Sequence, residues 1–243
     1  MENVDRTCAE VEEWIRNAVG HANMSGVVVG VSGGVDAAVC AGLCVRALGQ
    51  EAVTAIVIRT TDNERELTAA HDICAAFRLS PILVNVQEPY EAIAAALDLR
   101  DVMAAGNLRD RLRSAILYAY GNVQKRLVVS TVNKNEYLLG YFCKNGSGTS
   151  DLMPIGDFYK SEVWSVAEAI GVPRDIIEKA PTGDYWLDQT DEDIIGVTYR
   201  EQDQLFELIE QPGAPEHSAT MRRLQELVNR SEHKRRLPLR FVR

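Results

Sequence analysis

Apolar residues along the chain fall into short β-branched runs separated by stretches with helical spacing. Val11, Trp14, Ile15 and Val19 share one stripe of residues 6–20 and predict an amphipathic helix. Val27-Val28-Val29 is continuously apolar, as a strand buried on both faces is, and predicts a strand over 26–31. A helical segment follows over 36–48, with Gly49 as its stop. The alternation continues with a strand at 53–58, a helix at 64–77 and a strand at 81–86. A short helix is expected at 90–97 and a longer one at 108–120, carrying Arg109, Arg111 and Arg113. A fourth strand is expected at 127–130, and a helical piece runs from Asn135 to Leu139. Beyond it lie a glycine-rich loop (143–160), a helix (160–170) ending at Gly171-Val172-Pro173, and an acidic loop (180–193). Helices are predicted near 198–210 and 218–230, divided by Gln211-Pro212-Gly213-Ala214-Pro215, and Ser231 to Pro238 reads as a tail. Strands alternating with helices imply an α/β fold with a doubly wound parallel sheet and helices on both faces. The expected organisation is one domain over 1–243 with a C-terminal helical segment. Ligands of such sheets bind beyond the carboxyl ends of the strands, where the Ser32 loop and Thr131 both fall.

Composition narrows the possibilities. The 243 residues are 46% hydrophobic and 25% charged, ordinary for a water-soluble domain able to bury a full core. No apolar stretch is long enough to span a bilayer, and Met1-Glu2-Asn3-Val4-Asp5-Arg6 is unlike a secretory leader. A net charge of −9 argues against broad nucleic-acid affinity. Cys8, Cys40, Cys44, Cys74 and Cys143 form no C-x-x-C pair; buried thiols in a reducing cytoplasm fit them better than metal ligation.

The chemistry concentrates in Gly30-Val31-Ser32-Gly33-Gly34-Val35-Asp36, set between a strand and a helix. That arrangement aims main-chain N–H groups and a positive helix end at an anion. Gly33 and Gly34 let phosphate oxygens approach the backbone, Ser32 adds a hydroxyl donor, and Asp36 can hold a divalent cation. The glycine spacing is neither that of the Walker loop nor that of the dinucleotide fingerprint. An ordinary tight turn would have the same composition.

Ser-Gly-Gly-x-Asp resembles the PP-loop of the N-type ATP pyrophosphatases, which cleave ATP between its α and β phosphates. Further stretches extend the likeness: Asn107-x-x-x-Arg111-x-Arg113; Asn133-Lys134-x-Glu136-x-x-x-Gly140-Tyr141-Phe142-x-Lys144; Asp151-Leu152-x-Pro154-Ile155-Gly156-x-x-x-Lys160; Ala180-Pro181-Thr182-x-Asp184; Asp191-Glu192; and Glu232-His233-Lys234-Arg235. In this order they make the chain similar to the ammonia-dependent NAD synthetases over nearly its whole length. That resemblance implies the adenine nucleotide alpha hydrolase-like fold and a homodimer, while charge, hydropathy and cysteine usage point to the cytoplasm with no nucleic-acid or membrane partner. It implies ATP as co-substrate and Mg²⁺ held by Asp36 and Glu136. Taken by itself, Glu136 reads equally as a solvated residue in a helix's first turn. Lys160 is implied as a charge on the β and γ phosphates, with Ser32, Gly33, Gly34, Thr131 and Thr182 also on ATP. Asp151 is implied to face the nicotinate end and the incoming ammonia, where a carboxylate attracts and deprotonates NH₄⁺. Tyr141 and Phe142 suit the pyridine ring, or the core. Asn107, Arg111, Lys144, His233 and Lys234 are implied on the acid substrate's phosphates and carboxylate.

The expected reaction is amidation of deamido-NAD⁺ by ammonia through an acyl-adenylate, giving NAD⁺, AMP and pyrophosphate. Three features depart from the family pattern. Ala37 replaces a second loop serine, Gly146-Ser147-Gly148-Thr149 replaces the usual Gly-Asp-Gly-Gly, and Asp110 stands where a small residue is usual. They leave open another carboxylate, such as nicotinate mononucleotide, and a nucleotide-binding homologue with weakened catalysis.

Overall fold

The computed structural model describes residues 3–60, 63–182, 190–209 and 218–241. Asp184, the Gln211 to Pro215 linker and the end of the helix expected at 198–210 lie outside them. The strands are β1 (Val27–Gly30), β2 (Val53–Arg59), β3 (Ile82–Asn85) and β4 (Leu127–Val129). The helices are α1 (Val4–His21), α2 (Val35–Leu48), α3 (Glu64–Ala76), α4 (Gln87–Ala96), α5 (Val102–Gln124) and α6 (Lys134–Leu139). They continue with α7 (Lys160–Ala169), α8 (Arg174–Ile177), α9 (Asp191–Ile195), α10 (Tyr199–Ile209) and α11 (Ala219–Arg235).

The sheet is wholly parallel in the order β3-β2-β1-β4, with Val27 beside Val53 on one side and Leu127 on the other. The chain steps outward from β1 to β3, then returns past β1 to lay down β4. The winding therefore reverses beside β1, and a crevice opens at the carboxyl ends of β1 and β4. A single parallel pairing, Val129 with Leu152, continues the sheet beyond β4.

Side-chain alternation sends Val27 and Val29 into the main core, where α1, α2, α3 and α7 supply Ile15, Leu43, Ile73 and Val163. On the opposite face α5 packs on β1 and β4. A second, smaller core joins Leu139, Ile195, Phe206 and Leu224 from α6, α9, α10 and α11 with Tyr159, which caps α7.

Several helices exceed their expected bounds for visible capping reasons. α5 begins six residues before the expected 108 because the Asp101 side chain caps Ala104 N–H at 2.7 Å, and it ends at Lys125 in left-handed conformation. α4 begins earlier than expected because Asn85 accepts from the Gln87 N–H and Pro89 is tolerated in a first turn. α11 absorbs much of the expected tail, so His233, Lys234 and Arg235 form its last turn. The short α8 and α9 had no separate expectation; α9 starts inside the segment read as acidic loop, at a Thr190 cap.

Candidate active site

The loop after β1 has the geometry its glycines require. Gly33 sits at φ +84°, and a Cβ there would lie 2.9 Å from Ala69 Cβ and from the Glu66 carbonyl oxygen. Both the backbone angle and the packing against α3 therefore demand glycine. Gly34 precedes α2 and no side chain caps the helix, so its first-turn amides are open to an anion. Ala37 is buried in that first turn.

Beside it lies an acidic centre assembled from five segments. Asn133 caps α6: its Oδ1 accepts from Glu136 N–H at 3.0 Å, and Glu136 Oε2 accepts from Asn133 N–H at 3.1 Å. The buried Asn133 amide then donates Nδ2–H to Asp36 Oδ1 at 3.1 Å, tying the start of α6 to the start of α2. Lys160, first residue of α7, is 1% exposed and forms an ion pair with Asp36 Oδ2. Its backbone N–H donates to Asn135 Oδ1 at 2.9 Å. Its ammonium lies 5.2 Å from the Tyr199 ring centroid. Asp191, buried at the start of α9, accepts from Tyr199 O–H at 3.1 Å.

Three carboxylates around one ammonium leave an excess of negative charge. Burial, reinforced by Asp36, pushes the Glu136 carboxyl well above the usual range, with Lys160 opposing. Burial also raises Asp191, although Lys160, Tyr141 and Tyr199 pull against it. Lys160 stays charged: burial lowers its pKa, but Asp36 and Glu136 more than compensate and the net direction is upward. Such a centre suits a bound cation completed by substrate oxygens. Among the described residues no group of three or more His, Cys, Asp or Glu has metal-holding geometry by itself.

A cavity of about 280 Å³ opens over this centre at the reversal point of the sheet. Of the residues expected at the site, Ser32, Gly34, Asp36, Thr131, Glu136, Tyr141, Phe142, Lys160 and Thr182 line it. Gly33 is buried behind the loop and does not line it. Thus segments far apart in sequence converge at one edge.

The remaining candidates are placed elsewhere, each held by a structural partner. Asp151 is exposed and does not line this cavity; its Oδ2 accepts from Val128 N–H at 2.7 Å, beside Tyr118 on α5. The bond holds it against the amino-terminal half of β4, away from the carboxyl ends. Arg111 is exposed and donates to the Lys144 carbonyl at 3.3 Å, while Asn107 accepts at its carbonyl from the Cys143 thiol. Lys144 reaches the His233 carbonyl, and His233 Nδ1 lies 3.1 Å from the Arg230 carbonyl oxygen. Lys234 donates to the carbonyls of Gly140 (2.7 Å) and Phe142 (2.9 Å). The helical continuation of α11 turns this basic group onto the end of α6, replacing the expected closing tail.

Among the lining residues given no site role from sequence are Asp110, Arg113 and Asp191, although each stood in or beside a quoted motif. Asp110, Arg113 and Leu117 follow i, i+3, i+7 spacing on α5, a signal that the overlooked helical face would have supplied. Asp191 had no local signal beyond its acidic pair, because its burial depends on Tyr199.

A parallel α/β sheet with an uncapped glycine turn and an acidic centre at the strand-order reversal defines a nucleotide-binding site of PP-loop type. The NAD synthase family model matches residues 7–238, and the chain belongs to that family. A curated relative, the NH(3)-dependent NAD(+) synthetase of Archaeoglobus fulgidus, is 38% identical, covering 97% of this chain and 96% of that protein. The solved NMN synthetase from Francisella tularensis has a TM-score of 0.89 at 31% identity, covering 98% of both chains. The NH3-dependent NAD synthetase from Campylobacter jejuni, solved with nitrate, has a TM-score of 0.80 at 26% identity over 99% of each chain. The fold is the adenine nucleotide alpha hydrolase-like one, and the chain is a ligase forming a C–N bond.

Proposed function

We propose that the protein amidates the nicotinate carboxylate of deamido-NAD⁺ with ammonia, consuming ATP and releasing AMP and pyrophosphate. The observation that carries this reading is the convergence of Asp36, Glu136 and Lys160 at the open amino end of α2. The α2 amides, Ser32 and Lys160 hold the phosphates of ATP, Lys160 exchanging its Asp36 partner for phosphate oxygens. Asp36 and Glu136 would hold Mg²⁺, which neutralises charge on the departing pyrophosphate. The residues fit that ion because their like charges are buried together. Thr131 and Thr182 orient the nucleotide, and Tyr141 and Phe142 flank the acid's ring. The acid carboxylate attacks the α phosphorus in line, and ammonia displaces AMP from the acyl-adenylate. The cavity keeps water from the mixed anhydride. The protein works as a homodimer in the cytoplasm, where its five free, buried cysteines stay reduced. Among the described residues no helix is long and apolar enough to cross a membrane.

The likeness to an NMN synthetase supports a second reading, with nicotinate mononucleotide as the acid. The deciding experiment offers ATP, Mg²⁺ and ammonium with each acid separately and measures AMP and amide. Turnover of deamido-NAD⁺ supports the first reading. Turnover of the mononucleotide alone supports the second, and AMP formation with neither rejects both.

A further inference from the structure

We propose that Asp110, on α5, is the carboxylate that receives ammonium and takes its proton, a task the family resemblance implied for Asp151. The inference rests on the proposed amidation, which needs an anionic group near the acyl carbon to supply uncharged NH₃. Asp151 does not meet that need, since it is bound to Val128 N–H outside the cavity. The other lining acids are committed to the phosphate side. Asp36, Glu136 and Asp191 surround Lys160, and Glu66 belongs to the α3 turn packed on Gly33. Asp110 alone faces the stretch containing Phe142, Cys143 and Ser147.

Its geometry ties α5 to the glycine-rich loop. Asp110 Oδ2 accepts from Ser147 N–H at 2.8 Å and from Ser147 Oγ–H at 2.7 Å. These bonds hold the Asp110 carboxylate against the glycine-rich loop that lines the facing wall of the cavity. Two hydrogen bonds fix Oδ2, while among the described residues Oδ1 takes none and remains for a ligand.

The step balances as follows. Ammonium donates a hydrogen bond to Asp110, gives it one proton, and attacks the acyl carbon with the freed electron pair. The acyl C–O bond to the phosphate breaks, AMP leaves with that pair, and the nitrogen loses a second proton to solvent.

The test is Asp110→Asn, which retains a hydrogen-bond acceptor for Ser147 but not the charge. With whichever acid the wild-type enzyme uses, kcat/KM for ammonium falls roughly a hundredfold. AMP then accumulates over amide as the adenylate hydrolyses. Hydroxylamine, already uncharged at the assay pH, restores coupled hydroxamate formation, which a merely structural loss would not allow. The double variant Asp110→Ser with Ser147→Asp recovers ammonium use. An unchanged ammonium KM and AMP-to-amide ratio in Asp110→Asn overturns the inference, as does the same defect appearing in Asp151→Asn instead. If the wild type forms no AMP with either acid, the amidation reading itself fails and takes this step with it; AMP without amide defects in Asp110→Asn rejects the step alone.

Discussion

At the level of single residues, the site combines strain that glycine relieves with charge that ligands must neutralise. Replacing Gly33 by alanine forces a Cβ to 2.9 Å from two neighbours in a backbone region L side chains avoid. The expected cost is about 2 kcal/mol of stability together with loss of ATP binding, read by thermal melting with and without nucleotide. Ala37 points the other way. Its side chain lines the cavity in the first turn of α2, so Ala37→Ser places a hydroxyl beside the phosphate amides. A hydrogen bond to a charged group contributes about 1.5–3 kcal/mol, so kcat/KM for ATP should rise by about tenfold or more. No rise would mean that the phosphates do not reach this turn. Glu136 supplies a pH signature. Its folded-state pKa is raised above the unfolded value of about 4.3, so the folded protein binds this proton more tightly and loses stability as pH rises through that window. Metal-free Glu136→Gln lacks the penalty. Its melting temperature relative to wild type should therefore climb as pH rises above the unfolded-state value of about 4.3, and a pH-independent difference would refute the buried-charge account.

Among the elements, how much could be read from sequence followed the range of the interactions involved. The four strands and the α2 turn were legible because Val27–Val29 and Ser32–Asp36 carry their signals locally. α5 was cut short because Gly106 and Asn107 weaken the helical pattern, while the stabilising Asp101 cap and the sheet contact lie outside that window. The last turn of α11 was hidden for the same reason: Lys234 and Arg235 look like a free basic tail until their partners are known. Those partners lie at the end of α6, just beyond it and earlier on α11 itself. Arg235 donates to the carbonyls of Tyr137, Leu138 and Val228 and to Ser231 Oγ. Gly140, at φ +66°, allows the close approach, since a Cβ there would lie 2.1 Å from Ser231 Cβ. Arg235→Ala removes the clamp and leaves those carbonyls without this donor. The expected loss is about 2–3 kcal/mol by chemical denaturation, with weaker Mg²⁺ and ATP binding, because α6 carries Glu136 at its other end.

For the whole molecule, the open question is what covers the outer side of α4 and α5. Leu97 is 63% exposed, Val102 51% and Met103 43%, all close to the α4–α5 junction. Exposed apolar side chains gathered at one helix junction suit an association surface. The proposed homodimer would bury them, leaving the charged flanks as a polar rim. The same α5 presents Asp110 and Arg113 to the cavity from its inner side. Arg113 further ties α5 to the end of β2, donating to Thr60 Oγ1 at 3.2 Å. A helix braced from outside by a second subunit holds these groups more firmly than one exposed along its length. Leu97→Asp combined with Met103→Asp should convert a sedimenting species of twice the 26.9 kDa chain mass into a monomer. The circular dichroism should be unchanged, since neither side chain belongs to the chain's own hydrophobic core. Activity should fall chiefly through KM for the acid and ammonium, with KM for ATP little altered, because the phosphate loop is anchored by β1, α2 and α3 within one chain. A wild-type enzyme that sediments as a monomer at full activity would remove the dimer, and a variant that stays dimeric would move the interface to another face.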